Sequence, residues 1–283
     1  MPESPLIQTS HLFRELNGHL VRLLRSLSPE DWRRPTVCSR WNVQDIASHL
    51  LDGNLRRLSA QRDHYSSPDA PRGFDSYADL LSYLDRLNAE WTAATRRISP
   101  VVLIDLLDHT GAQIADLFIQ ADPLAPALFP VAWAGEGESK MWFDIAREFT
   151  ERWHHQRQIA DAVERPTPLD EASLYHPVLE TFLLALPYTF QNVVAPVGTQ
   201  VSLEVRGPAG GVWTIERSES SWSATATTHG KPAARAVIDQ AIAWKIFTKR
   251  RTCAEQRARF PNIEVHGDQT LAGKLLEHVA IMA

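Results

Sequence analysis

The stretch WFDIAREFTERWHHQRQIADA, residues 142–162, decides how the chain is read. Ile145, Phe149, Trp153 and Ile159 recur at helical spacing, so the segment is a helix with one face built for packing. A second stripe of the same helix is polar and reads Asp144, Glu148, Glu151, His155 and Gln158. Glu151 and His155 are four residues apart, which places their side chains on one face, one turn from each other, in reach of a shared ion. A solvated surface face produces the same stripe, so spacing alone leaves the pair open.

Working outward, the preceding residues repeat the helical pattern. Leu12, Leu16, Leu20, Leu23 and Leu27 mark a first helix, and Ser28-Pro29-Glu30-Asp31 starts a short helical turn. Asn42, with Asp45 three positions on, caps a second helix through Ile46, His49, Leu50 and Gly53 towards Arg62. Leu80, Leu84, Leu87, Trp91 and Ala94 form the stripe of a third. Residues 101–120 are apolar and helical despite Gly111, and a loop rich in Pro and Gly leads from Ala121 to Glu138. Long amphipathic helices joined in this way define a four-helix bundle.

Pro166-Thr167-Pro168 closes the helical region, giving a domain over residues 1–165 and another over 166–283. The texture then changes. After a helical stretch at Leu179–Leu186, residues 201–205 and 212–215 alternate at period two around the turn RGPAGG, forming a hairpin. A third strand at Trp222–Thr228, a helix at Asp239–Lys249, a short strand at Ile263–Val265 and a closing helix at Thr270–Ile281 complete a small α+β domain. The fold class of the whole is α+β.

With 283 residues and 44% hydrophobic content the chain can bury a substantial core, while a net charge of −5 offers no basic footprint for nucleic acid or anionic lipid. No run approaches the roughly 18 apolar residues of a membrane span, and the opening residues lack a signal-peptide pattern, so a cytoplasmic monomer or homodimer is expected. Cys38 and Cys253 form no CxxC pair. A bound metal would therefore be held by nitrogen and oxygen.

His49 supplies the missing nitrogen. It lies on the capped second helix among Ile46, Ala47, Leu50 and Leu51, where a histidine faces or borders a core. Two imidazoles and a carboxylate, His49, Glu151 and His155, are a common three-ligand set for a divalent ion, and they leave one coordination position open. The donor set alone does not choose among zinc, nickel, iron and manganese.

These residues resemble a known family. RWNVQDIASHLLDGN (40–54) and EFTERWHHQRQIAD (148–161) are similar to the DinB-like metal-binding bundles, specifically the mycothiol-dependent maleylpyruvate isomerase family. AIAWKIFTKRRTCAEQRARFPNIEVHGDQTLAGKLLEHVAIMA (241–283) looks like that family's closing segment in a sterol-carrier-like domain. The resemblance implies a divalent metal on His49, Glu151 and His155, and its register favours His155 over the neighbouring His154. It further implies mycothiol, or a similar low-molecular-weight thiol, as cosubstrate. The chain departs from the family pattern where Cys38-Ser39-Arg40-Trp41 replaces Cys-Pro-Gly-Trp. None of Arg250, Arg251, Arg257 or Arg259 can be matched to the arginine that the family's C-terminal domain contributes.

Other residues weigh less. Cys38 reads as an incidental thiol more readily than as a nucleophile. Lys249-Arg250-Arg251 reads as a solvated helix end. Trp41, Trp142 and Trp153 are candidates for a pocket wall and equally for core, and Asp45 or Glu148 could orient a ligand imidazole. The expected function is a metal- and thiol-dependent isomerase or S-transferase acting on a small molecule. Its rivals are a hydrolase using metal-bound water and a non-catalytic lipid- or small-molecule-binding protein.

Overall fold

The computed structural model describes residues 6–69, 71, 73–227 and 230–280; the opening MPESP, Thr228 and Ile281 lie outside them. The long helices are α1 (Phe13–Arg25), α2 (Val43–Arg57), α3 (Tyr77–Thr95), α4 (Pro100–Gln120) and α5 (Met141–Ala162). Their starts follow local chemistry. Asn42 accepts a hydrogen bond from the Asp45 N–H while the Asp45 carboxylate accepts from the Asn42 N–H, a complete capping box for α2. Ser76 caps α3, and Ser99 caps α4 with Pro100 at its first position. Beyond Arg57 the chain continues as a π-helical turn, Leu58–Arg62.

The described residues fall into two compact units, one of Thr9–Leu128 with Glu151–Leu169, the other containing Phe129–Thr150 and the chain from Asp170 onward. In the first unit, α1, α2, α4 and the end of α5 share one apolar cluster, including Leu24, Ile46, Leu51, Leu107 and Ile159, and Trp91 of α3 packs against it. Trp91 also donates its indole N–H to the Ser48 carbonyl at 2.8 Å, tying α3 to α2 next to His49. Gly111 explains itself here. A Cβ at that position would stand 2.1 Å from Asn17 Oδ1, so α4 and α1 approach closely there and a larger residue would displace the Asn17 side chain.

The second unit holds α6 (Ala172–Leu183), α7 (Leu186–Thr189), a sheet, α8 (Gln240–Phe247), α9 (Cys253–Arg259) and α10 (Gln269–Leu276). The strands are β1 (Gln200–Arg206), β2 (Gly211–Arg217), β3 (Trp222–Thr225), β4 (Ala234–Asp239) and β5 (Glu264–Gly267), in spatial order β3-β2-β1-β4-β5. The expected hairpin is β1–β2, with Val201 opposite Ile215 and Leu203 opposite Trp213. Pairing is antiparallel except between β1 and β4, which run parallel.

Strand β4 and the start of helix α6 are among the elements that go beyond the sequence reading. The interior strand β4 is ARAVID, whose alanines and preceding Pro232 give little strand signal, yet Ala234, Ala236, Val237 and Ile238 are all buried. Helix α6 begins earlier than its apolar run suggests and contains Pro177. Tyr175 on α6 donates its hydroxyl to the Gln240 carbonyl at 2.9 Å and accepts from the Trp244 N–H at 3.1 Å, joining α6 to α8. No described helix is long and apolar enough to cross a membrane.

Candidate functional site

Within the first unit, the polar stripe of α5 turns inward rather than towards solvent. His154, His155 and Gln158 are all buried, and Glu151 is half-buried at the edge. That disposes of the solvated-face explanation for this part of the stripe. The half-buried His49 comes from α2 to meet it, with its ring centroid 4.8 Å from that of His155 in an edge-on arrangement. Trp41, just before the α2 cap, lies against both rings at 4.8 Å from His49 and 6.2 Å from His155. Of the three tryptophans considered, Trp41 stands at the site. Trp153 is fully buried and donates to the Leu169 carbonyl at 2.8 Å, while Trp142 stacks on Phe143.

Gln158 organises the interior side of the cluster. Its Oε1 is 2.9 Å from His155 Nδ1, and its Nε2 is 3.0 Å from His154 Nε2 and 3.4 Å from Cys38 Sγ. An amide oxygen only accepts, so His155 Nδ1 is the donor; an amide nitrogen only donates, so His154 Nε2 is the acceptor. His155 thus turns its Nε2 towards Glu151 Oε2, 3.4 Å away. With the proton on Nδ1, a lone pair and a carboxylate face each other. Positive charge placed between them, a proton on Nε2 or a cation, makes that arrangement more favourable.

His49, Glu151 and His155 are thereby brought side by side, and their donor types suit a divalent ion. As the side chains stand, no three His, Cys, Asp or Glu groups among the described residues converge on one point.

Asp45 is otherwise engaged. Its carboxylate takes two 3.0 Å bonds from Arg96, in addition to capping α2, and the Arg96 guanidinium is held further in its charged form by that bond. Asp45 therefore fixes the start of the helix that carries His49. Glu148 accepts from Arg147 at 2.9 Å. Sequence reasoning placed Gln158 on the right stripe without giving it a role, and treated Cys38 as incidental. The contact between them joins positions 120 residues apart, and no local motif encodes it.

The fold and site define an α+β protein whose helical bundle sets two imidazoles and a carboxylate side by side beneath a tryptophan. Its family follows from the sequence: residues 13–160 match the model of the mycothiol maleylpyruvate isomerase N-terminal domain, and the chain belongs to that family. The fold is shared with a crystal structure described as the mycothiol-dependent maleylpyruvate isomerase, at 13% identity and a TM-score of 0.51, covering 86% of this chain and 89% of that one. A histidine-to-alanine mutant of the same description superposes with a TM-score of 0.52 at 12% identity over the same shares of the two chains. No curated protein matches this sequence.

Proposed function

We propose that the protein is a divalent-metal-dependent enzyme that uses a low-molecular-weight thiol, mycothiol first among them, to isomerise a small electrophilic enedioate of the maleylpyruvate kind. The observation that carries this reading is the meeting of His49 and His155 at 4.8 Å, with Glu151 facing His155 Nε2. Family membership supports the thiol and the isomerase reaction. His49, Glu151 and His155 would hold the ion, zinc being the first expectation from the family resemblance and compatible with the donor set. A cation there would supply the charge that keeps a thiol deprotonated at neutral pH.

The residues of the chain do the positioning. Gln158 fixes the ring of His155, and the capping box with the Arg96–Asp45 pair fixes the start of the helix bearing His49. Trp41 covers the imidazoles with an apolar face, which limits water and strengthens electrostatic interactions beneath it. In the reaction, the thiolate adds to the carbon–carbon double bond of the cis substrate and the electron pair moves onto the conjugated carbonyl. Rotation about the resulting single bond and expulsion of the same thiolate give the trans product, with thiol consumed and regenerated in equal amount.

The reading is tested on untagged protein. Wild type should carry about one divalent ion per chain and His49→Ala markedly less; equal and negligible metal in both would overturn metal dependence. Calorimetry with mycothiol and other bacterial thiols should then show binding to the loaded protein, and failure of every thiol would remove thiol chemistry. A product retaining sulfur would identify an S-transferase, sharing the first step but not the last.

A further inference from the structure

Two adjacent histidines on α5 both lie in the buried cluster, and a single amide distinguishes them. Gln158 is 2% exposed and uses both ends of its amide: Oε1 accepts from His155 Nδ1 at 2.9 Å, and Nε2 donates to His154 Nε2 at 3.0 Å. The consequences for the two rings are opposite. His154 has its Nε2 lone pair engaged by the amide. His155 has its Nδ1 proton engaged, which puts its Nε2 lone pair on the side of Glu151, with the His49 ring 4.8 Å from its own. The same amide nitrogen lies 3.4 Å from Cys38 Sγ, so the segment before α2 also bears on its orientation.

We infer that Gln158 is a positioning residue that sets the tautomers of both imidazoles and so commits His155, rather than His154, to the ion shared with His49 and Glu151. The inference rests on the metal reading for the identity of the shared ligand, but the tautomers themselves are a property of the protein without metal. Hydrogen bonds to the far nitrogen of a ligating imidazole fix ring orientation, and their loss typically lowers metal affinity about 10- to 100-fold.

The experiment is nitrogen-15 NMR of the histidine rings in metal-free protein at pH 8, above the ordinary imidazole range, followed by calorimetric titration with Zn2+ alone. In wild type both His154 and His155 should carry the proton on Nδ1. In Gln158→Met, which fills the space without either hydrogen bond, both rings should lose that preference and Zn2+ affinity should fall about 10- to 100-fold. Gln158→Glu separates the two ends of the amide. Its carboxylate still accepts from His155 Nδ1 but cannot donate, so His155 should keep its tautomer while His154 moves its proton to Nε2. Should the methionine variant fail to fold, the glutamate variant alone decides, because loss of packing would not change one ring and spare its neighbour. Unchanged tautomers at both rings in either variant would overturn the inference. A wild type that binds no Zn2+ would defeat the metal reading, while the NMR result would still judge the role of Gln158 in setting the tautomers.

Discussion

His154 and His155 stand next to each other in sequence and are both buried, yet their ring nitrogens meet different partners. The difference arises because consecutive residues on a helix point about 100° apart, so each meets a different part of the Gln158 amide and of its surroundings. Glu151 belongs to the same scale. Replacing its carboxylate by an amide in Glu151→Gln removes the negative charge facing His155 Nε2 while preserving shape. Divalent-ion affinity should fall by at least about tenfold, comparable to losing an outer-shell partner, with the thermal midpoint of the metal-free protein nearly unchanged. Calorimetry and thermal unfolding of the apo protein check the two halves, and unaltered affinity would exclude Glu151 as a ligand. At Gly111, an added methyl would meet Asn17 Oδ1 at 2.1 Å. Gly111→Ala should therefore destabilise the protein by no more than about 2 kcal/mol, because overpacking of about 1–3 kcal/mol, eased where the Asn17 side chain turns aside, is offset by a helix-propensity gain of about 1 kcal/mol. A urea midpoint higher than wild type would refute that packing account.

Helix α2 shows how an element's ends prepare a site in its middle. Its capping box was legible from Asn42 and Asp45 alone, because a cap satisfies backbone groups within four residues. The partner that completes it was not legible: Arg96 reaches Asp45 from just beyond α3, 51 residues away. Asn42→Ala should cost about 1 kcal/mol in stability, as cap removals do. Its effect should reach His49, seven residues along the same helix, as a modest loss of metal affinity that Asn42→Asp restores. Chemical denaturation and metal titration measure both, and a stability equal to wild type in Asn42→Ala would contradict the cap. Helix α9 had the same kind of signature in Thr252 and Glu255, which form a second capping box, although it was read only as part of a family-like segment. Strand β4 had no such signal. Its place between β1 and β5 comes from burial on the sheet, not from intrinsic strand preference.

For the molecule as a whole, acid sensitivity has an identifiable source in the second unit. His278 is completely buried, its Nε2 2.9 Å from the Phe182 carbonyl and its Nδ1 2.8 Å from the Thr189 hydroxyl. Burial lowers its pKa from 6.5 to about 4, with the Phe182 hydrogen bond opposing in part. The depressed value means that the unfolded chain binds this proton more readily than the folded one. The neutral ring is therefore compatible with full stability above about pH 6.5, and stability falls as pH drops from there towards 4. A shift of this size corresponds to about 3 kcal/mol across that window. Urea unfolding at steps from pH 7 to pH 4 should show the decline, and His278→Gln should show a shallower one; equal slopes would assign acid sensitivity elsewhere.

Much of this architecture is written locally. Periodicity, caps and the proline-rich breaks placed α1 to α5, the β1–β2 hairpin and the change of texture after Pro166, since each depends on residues within a few turns of one another. The candidate ligands were legible in the same limited sense: Glu151 and His155 from their spacing on one helix, and His49 from a histidine among core residues on another. Tertiary structure decided the rest. It turned the α5 stripe inward, set His49 against His155 under Trp41, gave Gln158 its two imidazoles and the Cys38 contact, and inserted β4 into the sheet. Those facts join residues far apart in sequence, and their energies come from burial and hydrogen bonds that exist only once the helices and strands have packed.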